Sequence, residues 1–153
     1  GRIGENFKLS SGTWVSVGAL RVALIAACAP VIEDAVVTGH DRDEAGLLVF
    51  PSLAGCRGLC PHLPADAPLS ALIGETAVRD ALAAGLARHN ATAGGSSHRV
   101  GRALLMDTPP SIDRGEITDK GYLNQRAVLA NRATLVERLH ADPPAAEVVI
   151  PGR

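Results

Sequence analysis

The chain has 153 residues, the length of one domain, and can bury a core without covalent staples. It is 46% apolar and 20% charged, which excludes general disorder, and a formal net charge of −1 gives no field to hold nucleic acid or an anionic membrane. No apolar run approaches the roughly 20 residues that span a bilayer, and 3% aromatic residues are too few for a base-stacking platform.

In chain order, Asn6–Leu9 and Thr13–Val17 are short β-prone runs around the small-residue turn Ser10-Ser11-Gly12, a predicted hairpin. Gly18 to Cys28 follows as a helix, with Leu20, Leu24, Ile25 and Cys28 on one face and Pro30 as its stop. Val31 to Thr38 and Gly46 to Phe50 predict an antiparallel pair around the polar turn 39–44, in a sheet covered on at least one face. Ser52 to Pro68 is a proline-rich connector with room for one helical turn. Ser70 is placed to cap a long helix reaching His89, with Leu72, Ile73, Val78, Leu82 and Leu86 as its core stripe. Arg99 to Met106 predicts a strand ended by Pro109-Pro110, Ser111 to Tyr122 a polar loop, and Leu123 to His140 a last helix. Val148–Ile150 adds an edge strand. The expected class is α+β: an N-terminal β-hairpin and a small mixed sheet with about three helices packed on it.

The sequence offers few self-evident chemical groups. Three cysteines, an odd number, form no closed disulfide framework and point to a reducing, cytoplasmic setting. Cys56, Cys60 and His62 fall short of the four ligands of a structural zinc site, and the scattered histidines make no metal spacing, so no metal site is expected. Gly94-Gly95-Ser96-Ser97 lacks the lysine and following helix of a phosphate loop. Only Lys8 and Lys120 of the 15 basic residues are lysines, a usage that, with the abundant alanine, suggests a GC-rich bacterial source.

Three runs carry a resemblance: Gly1–Arg21, containing Gly1-Arg2-Ile3-Gly4-Glu5-Asn6-Phe7-Lys8-Leu9 and Gly12-Thr13-Trp14-Val15-Ser16-Val17; Gly39–Pro51, opening Gly39-His40-Asp41-Arg42-Asp43-Glu44; and Pro109–Leu129, containing Ser111-Ile112-Asp113-Arg114-Gly115-Glu116 and Thr118-Asp119-Lys120-Gly121. In this order they resemble the C-terminal domain of adenylate-forming acyl- and aryl-CoA synthetases, closest to the feruloyl-CoA synthase branch, over essentially the whole chain. The resemblance implies that residues 1–153 are a mobile lid domain whose large N-terminal adenylation domain, its partner, lies outside this chain. The implied reaction joins an aryl acid (a hydroxycinnamate) to coenzyme A with ATP and Mg²⁺, through an acyl-adenylate, giving AMP and pyrophosphate. Mostly the absent domain would bind these ligands, and the chain alone would be inactive.

The resemblance implies roles for single residues. Lys120 is the catalytic lysine that stabilises charge on phosphate in the first half-reaction. It precedes Gly121, where the wider family pattern T-x-x-G-K sets lysine after the glycine. Arg2 matches the arginine that hydrogen-bonds the nucleotide ribose, and Gly4 the hinge. Ser11, Gly12 and Thr13 match the hairpin turn beside the path of coenzyme A. Trp14 is expected to anchor the hairpin by packing. The opening Gly1-Arg2, without Met, reads as part of a longer polypeptide. Two alternatives stay open: the same domain from a ligase for another aryl or fatty acid, and a stand-alone, non-catalytic binding module.

Overall fold

The computed structural model describes residues 5–151. A two-stranded hairpin opens the chain, with β1 (Phe7–Lys8) antiparallel to β2 (Trp14–Val15). Helix α1 (Val17–Ala27) follows at once, and the Asn6 side chain accepts a hydrogen bond from Val17 N–H at 3.0 Å, meeting one orphan donor of its first turn. Strands β3 (Ile32–Thr38) and β4 (Ala45–Pro51) pair antiparallel around the polar turn, as expected. The chain then crosses over through α2 (Leu53–Leu59), α3 (Leu69–Leu72) and α4 (Thr76–Thr92) to β5 (Val100–Leu105), which lies parallel to β4. Helices α5 (Gln125–Asn131) and α6 (Ala133–Leu139) precede β6 (Val148–Val149), which pairs antiparallel with β5. The four-stranded sheet has the order β3-β4-β5-β6.

Both faces of this sheet are covered, which explains why β4 is buried along its whole length. Ala35, Val37, Leu47, Val49, Ala103 and Leu105 point to one core, where α1 and α4 contribute Leu20, Leu24, Val78, Leu82 and Leu86. The intervening Val36, Leu48, Phe50, Leu104 and Met106 point to the other, with Val128 of α5 and Leu139 of α6. The two-residue period of a strand divides the apolar residues between two layers.

The α+β class and the mixed sheet are as expected, while the helices are more broken. The described residues hold six helices, because two of the three expected tracts are interrupted and the connector folds into α2. Ser52 caps α2, its hydroxyl accepting from Gly55 N–H at 3.0 Å. Ser70 lies inside the single turn of α3 rather than capping a long helix. The chain leaves helical geometry at Glu75 (φ −76°, ψ 134°), after Gly74, and α4 starts there. The expected last helix breaks at Arg132 (φ −112°, ψ 32°), whose side chain is held by the loop before it.

Candidate functional site

The first candidate turn is built by its backbone. Gly12 N–H donates to Leu9 C=O at 2.9 Å and Leu9 N–H to Thr13 C=O at 2.9 Å, a three-residue loop closed by a residue with positive φ. Gly12 supplies that residue, with φ +87°, and a Cβ there would meet open space. The glycine is therefore required by its torsion, not by crowding. Ser11 hydroxyl donates to Thr13 Oγ1 at 2.9 Å, so Ser11, Gly12 and Thr13 form one unit at the tip. The turn is braced against the β3–β4 loop: Ser10 N–H donates to Arg42 C=O at 2.8 Å, Ser10 hydroxyl to Asp43 at 3.0 Å, and Asp41 N–H to Lys8 C=O at 3.0 Å. Trp14 departs from expectation. Its side chain is 59% exposed with the Lys8 ammonium 5.2 Å from the ring centroid, because Leu9 and Val15 fill the core beneath the hairpin.

The second candidate turn repeats the same construction. Gly121 N–H donates to Thr118 C=O at 2.9 Å, Thr118 N–H to Tyr122 C=O at 2.9 Å, and Gly121 again has φ +87°. The Thr118 hydroxyl accepts from Tyr122 N–H at 3.0 Å, and Ile117 bridges Leu123 below the loop. Lys120 sits at the exposed tip and makes no hydrogen bond or ion pair to any described residue. No hydrogen bond or ion pair joins this turn to the Ser11–Thr13 turn among the described residues. The structure gathers Ser11, Gly12 and Thr13 together and sets Lys120 on a separate loop. Arg2 and Gly4 lie outside the described residues.

Beneath Lys120 lies a group that sequence reasoning missed. Glu116 is 1% exposed, and its carboxylate takes a forked pair of bonds from Arg132, Nη2 to Oε1 at 2.9 Å and Nε to Oε2 at 3.0 Å. Ser111 N–H also donates to Oε1 at 2.9 Å. The Arg132 bonds hold the Glu116 carboxyl down at about 2, against the cost of its burial. Arg132 donates further to Thr108 C=O at 3.2 Å and Pro109 C=O at 3.0 Å, and its guanidinium lies 4.9 Å from the Phe50 ring centroid. Sixteen residues separate the pair along the chain, so no local spacing betrays it. The one available signal was a carboxylate, Glu116, between the apolar Ile112 and Ile117 of an otherwise polar loop.

The remaining polar residues fall elsewhere. Cys56 and Cys60 are buried, and burial pushes the Cys56 thiol up to about 11 and raises Cys60, so both behave as core residues. His62 stands outside and pairs with Glu75. No three His, Cys, Asp or Glu side chains converge to hold a metal ion among the described residues. A charged cleft of about 530 Å³ beside the first turn is lined by Arg42, Asp43, Glu44, Arg102, His140 and Asp142. His140 is held at about 4 by burial and by Arg42 and Arg102, and it shares a 2.6 Å hydrogen bond with Thr38 Oγ1. Among the described residues, no helix is long and apolar enough to cross a membrane.

Comparison with known proteins meets this geometry. The chain resembles the A-PCP didomain of carboxylic acid reductase from Segniliparus rugosus in complex with AMP, with a TM-score of 0.63 and 24% identity, covering 87% of this chain and 17% of that one. The A domain of carboxylic acid reductase from the same organism, in complex with AMP and a co-purified carboxylic acid, gives 0.62 and 23%, covering 89% and 20%. The adenylation domain of a carboxylate reductase from Mycobacterium chelonae gives 0.61 and 18%, covering 89% and 19%. At these identities the likeness is one of fold, and this chain spans about a fifth of the length of each. No curated protein sequence matches. The family described as the AMP-binding enzyme C-terminal domain matches residues 9–143, from the foot of the first turn past the end of α6, and the chain belongs to that family.

Proposed function

We propose that this chain is the mobile C-terminal domain of a cytoplasmic, ATP-dependent aryl-CoA ligase of the feruloyl-CoA synthase type, working against a large N-terminal adenylation domain. In the first half-reaction the acid's carboxylate attacks the α-phosphorus of ATP and pyrophosphate leaves. In the second, the thiol of coenzyme A attacks the acyl carbonyl and AMP leaves. Lys120 serves the first step, donating to phosphate and carboxylate oxygens as negative charge gathers on them. The Ser11–Thr13 turn serves the second, lining the entry of the thiol. Arg2 is assigned to the nucleotide ribose and Gly4 to the hinge. Mg²⁺ would accompany ATP, held mostly by the N-terminal domain.

The observation that carries this is the exposed and unpaired Lys120 at the tip of a turn with a firmly held base. An exposed ammonium pays no desolvation cost while waiting and is free to meet a phosphate brought to it. Two substitutions in the full-length polypeptide test the assignment. Lys120→Ala is expected to slow pyrophosphate release about 100-fold or more while sparing thioester formation from preformed acyl-adenylate. Gly12→Trp is expected to do the reverse. Equal loss in both half-reactions of either variant refutes the division of labour. A reading frame with no adenylating domain upstream of Gly1 would favour a stand-alone module.

A second reading keeps acid activation and changes the thiol. A solved relative in fold is an A-PCP didomain of a carboxylic acid reductase, so the acceptor could be a carrier-bound thiol. Assay with free coenzyme A, over a panel of aryl and fatty acids, separates the two and identifies the acid.

A further inference from the structure

We propose that the buried Glu116–Arg132 pair is a positioning device that aims Lys120, clamping the segment 107–124 into one bracket; this rests on the adenylation role proposed for Lys120. From Asp107 to Asn124, Glu116 is the only buried residue, and Ile112 and Tyr122 are 63% and 65% exposed. Apolar packing holds this segment at its exit, where Leu123 packs against the core that contains Val128, and the rest of it is oriented by polar bonds.

Those bonds converge on one pair. Arg132 takes the entrance through the carbonyls of Thr108 and Pro109. Glu116 takes the next turn through Ser111 N–H, and its backbone C=O accepts from Asn124 N–H at 2.8 Å, fixing the exit. Asn131 donates to Arg114 C=O at 3.0 Å and, at 3.4 Å, to Glu116 Oε2. The near side of the Lys120 turn is thus tied to one guanidinium–carboxylate fork and its exit to the backbone of the same Glu116, and α5 ends at Arg132 where that side chain turns into the fork.

Stability alone is a poor reason for such a pair. A buried ion pair is often no more stabilising than apolar residues of the same volume, and its geometry fixes one arrangement. A lysine on a long stem needs its Cα placed well, because a misplacement of about 1 Å can cost about 100-fold in rate. Glu116 and Arg132 touch no reacting atom in this scheme and act through Lys120.

The test uses the full-length polypeptide. Glu116→Gln keeps the shape and removes the charge. It is expected to slow pyrophosphate release by about 10- to 100-fold and to leave thioester formation from preformed acyl-adenylate within about two-fold of the parent. In a Lys120→Ala background the same change should add nothing to the loss. Asn131→Ala, which leaves the ion pair intact, should give a loss of a few-fold, again in adenylation alone. Equal slowing of both half-reactions, or full additivity with Lys120→Ala, overturns the positioning role. If Glu116→Gln does not fold, the Asn131→Ala half-reaction split decides alone. Trypsin cutting after Lys120 tests the clamp without catalysis: it should quicken about 10-fold in Glu116→Gln well below the melting temperature. Unchanged cutting overturns the clamp. Faster cutting together with a normal rate in Lys120→Ala would keep the clamp and discard the adenylation role.

Discussion

Gly12 and Gly121 share a torsion, and each stands where a side chain would find room. An L-residue there bears the cost of the left-handed region, about 1 kcal/mol or somewhat more. Gly12→Ala and Gly121→Ala are each expected to lower unfolding stability by about 1 kcal/mol in urea titrations. No change in either variant would mean the turn relaxes to another form. The glycine of the first turn is plain in the sequence, whereas the second turn lies within what reads only as a polar loop, and Lys120 stands out there through the family resemblance. The Glu116–Arg132 fork is not legible, because its partners meet only after β5, the loop and α5 have been folded against Phe50. The exposure of Trp14 was hidden for a similar reason: an aromatic residue in a two-residue strand can face either way, and Val15 takes the inward side.

At the level of elements, strand periodicity was legible and helix continuity was not. β3, β4 and β5 fall within a residue or so of their expected ends, since short apolar, β-prone runs bounded by Gly or Pro mark them. The interruption at Glu75 follows Gly74, whereas the one at Arg132 has no proline or glycine to announce it and coincides with that side chain's bonds to the preceding loop. Gln125 is another side chain bonded to distant backbone. Buried at the start of α5, its amide accepts from Val37 N–H at 3.0 Å and donates to Val37 C=O at 3.2 Å, as a neighbouring strand would. Gln125→Leu strands both groups, and is expected to cost about 2 kcal/mol of stability. Hydrogen exchange at the Val37 amide should quicken in the same variant, and an unaltered rate would show that the amide is not what protects it.

For the whole molecule, acid is the informative stress. The Glu116 carboxyl sits at about 2 in the fold against an ordinary 4.5, so its contribution is complete above 4.5 and is lost as pH falls toward 2. His140 is held neutral to about 4 against an ordinary 6.5, so the unfolded chain binds a proton there first, and stability drains between 6.5 and 4. Unfolding midpoints should decline in two stages. His140→Gln should flatten the upper one and Glu116→Gln the lower; a single unbroken decline in both variants would contradict these assignments.

The sheet itself has a consequence for life in concentrated solution. On the β3 margin, Ala35 N–H is taken by Asp34 and Val37 by Gln125. Next to β6, the Arg79 guanidinium reaches the carbonyls of Ala146 and Glu147. Each flank of the sheet is stoppered by side chains of its own molecule, leaving a stranger's strand few rungs to grip. A domain finished in this way can stay separate in a crowded solution without zipping onto its neighbours.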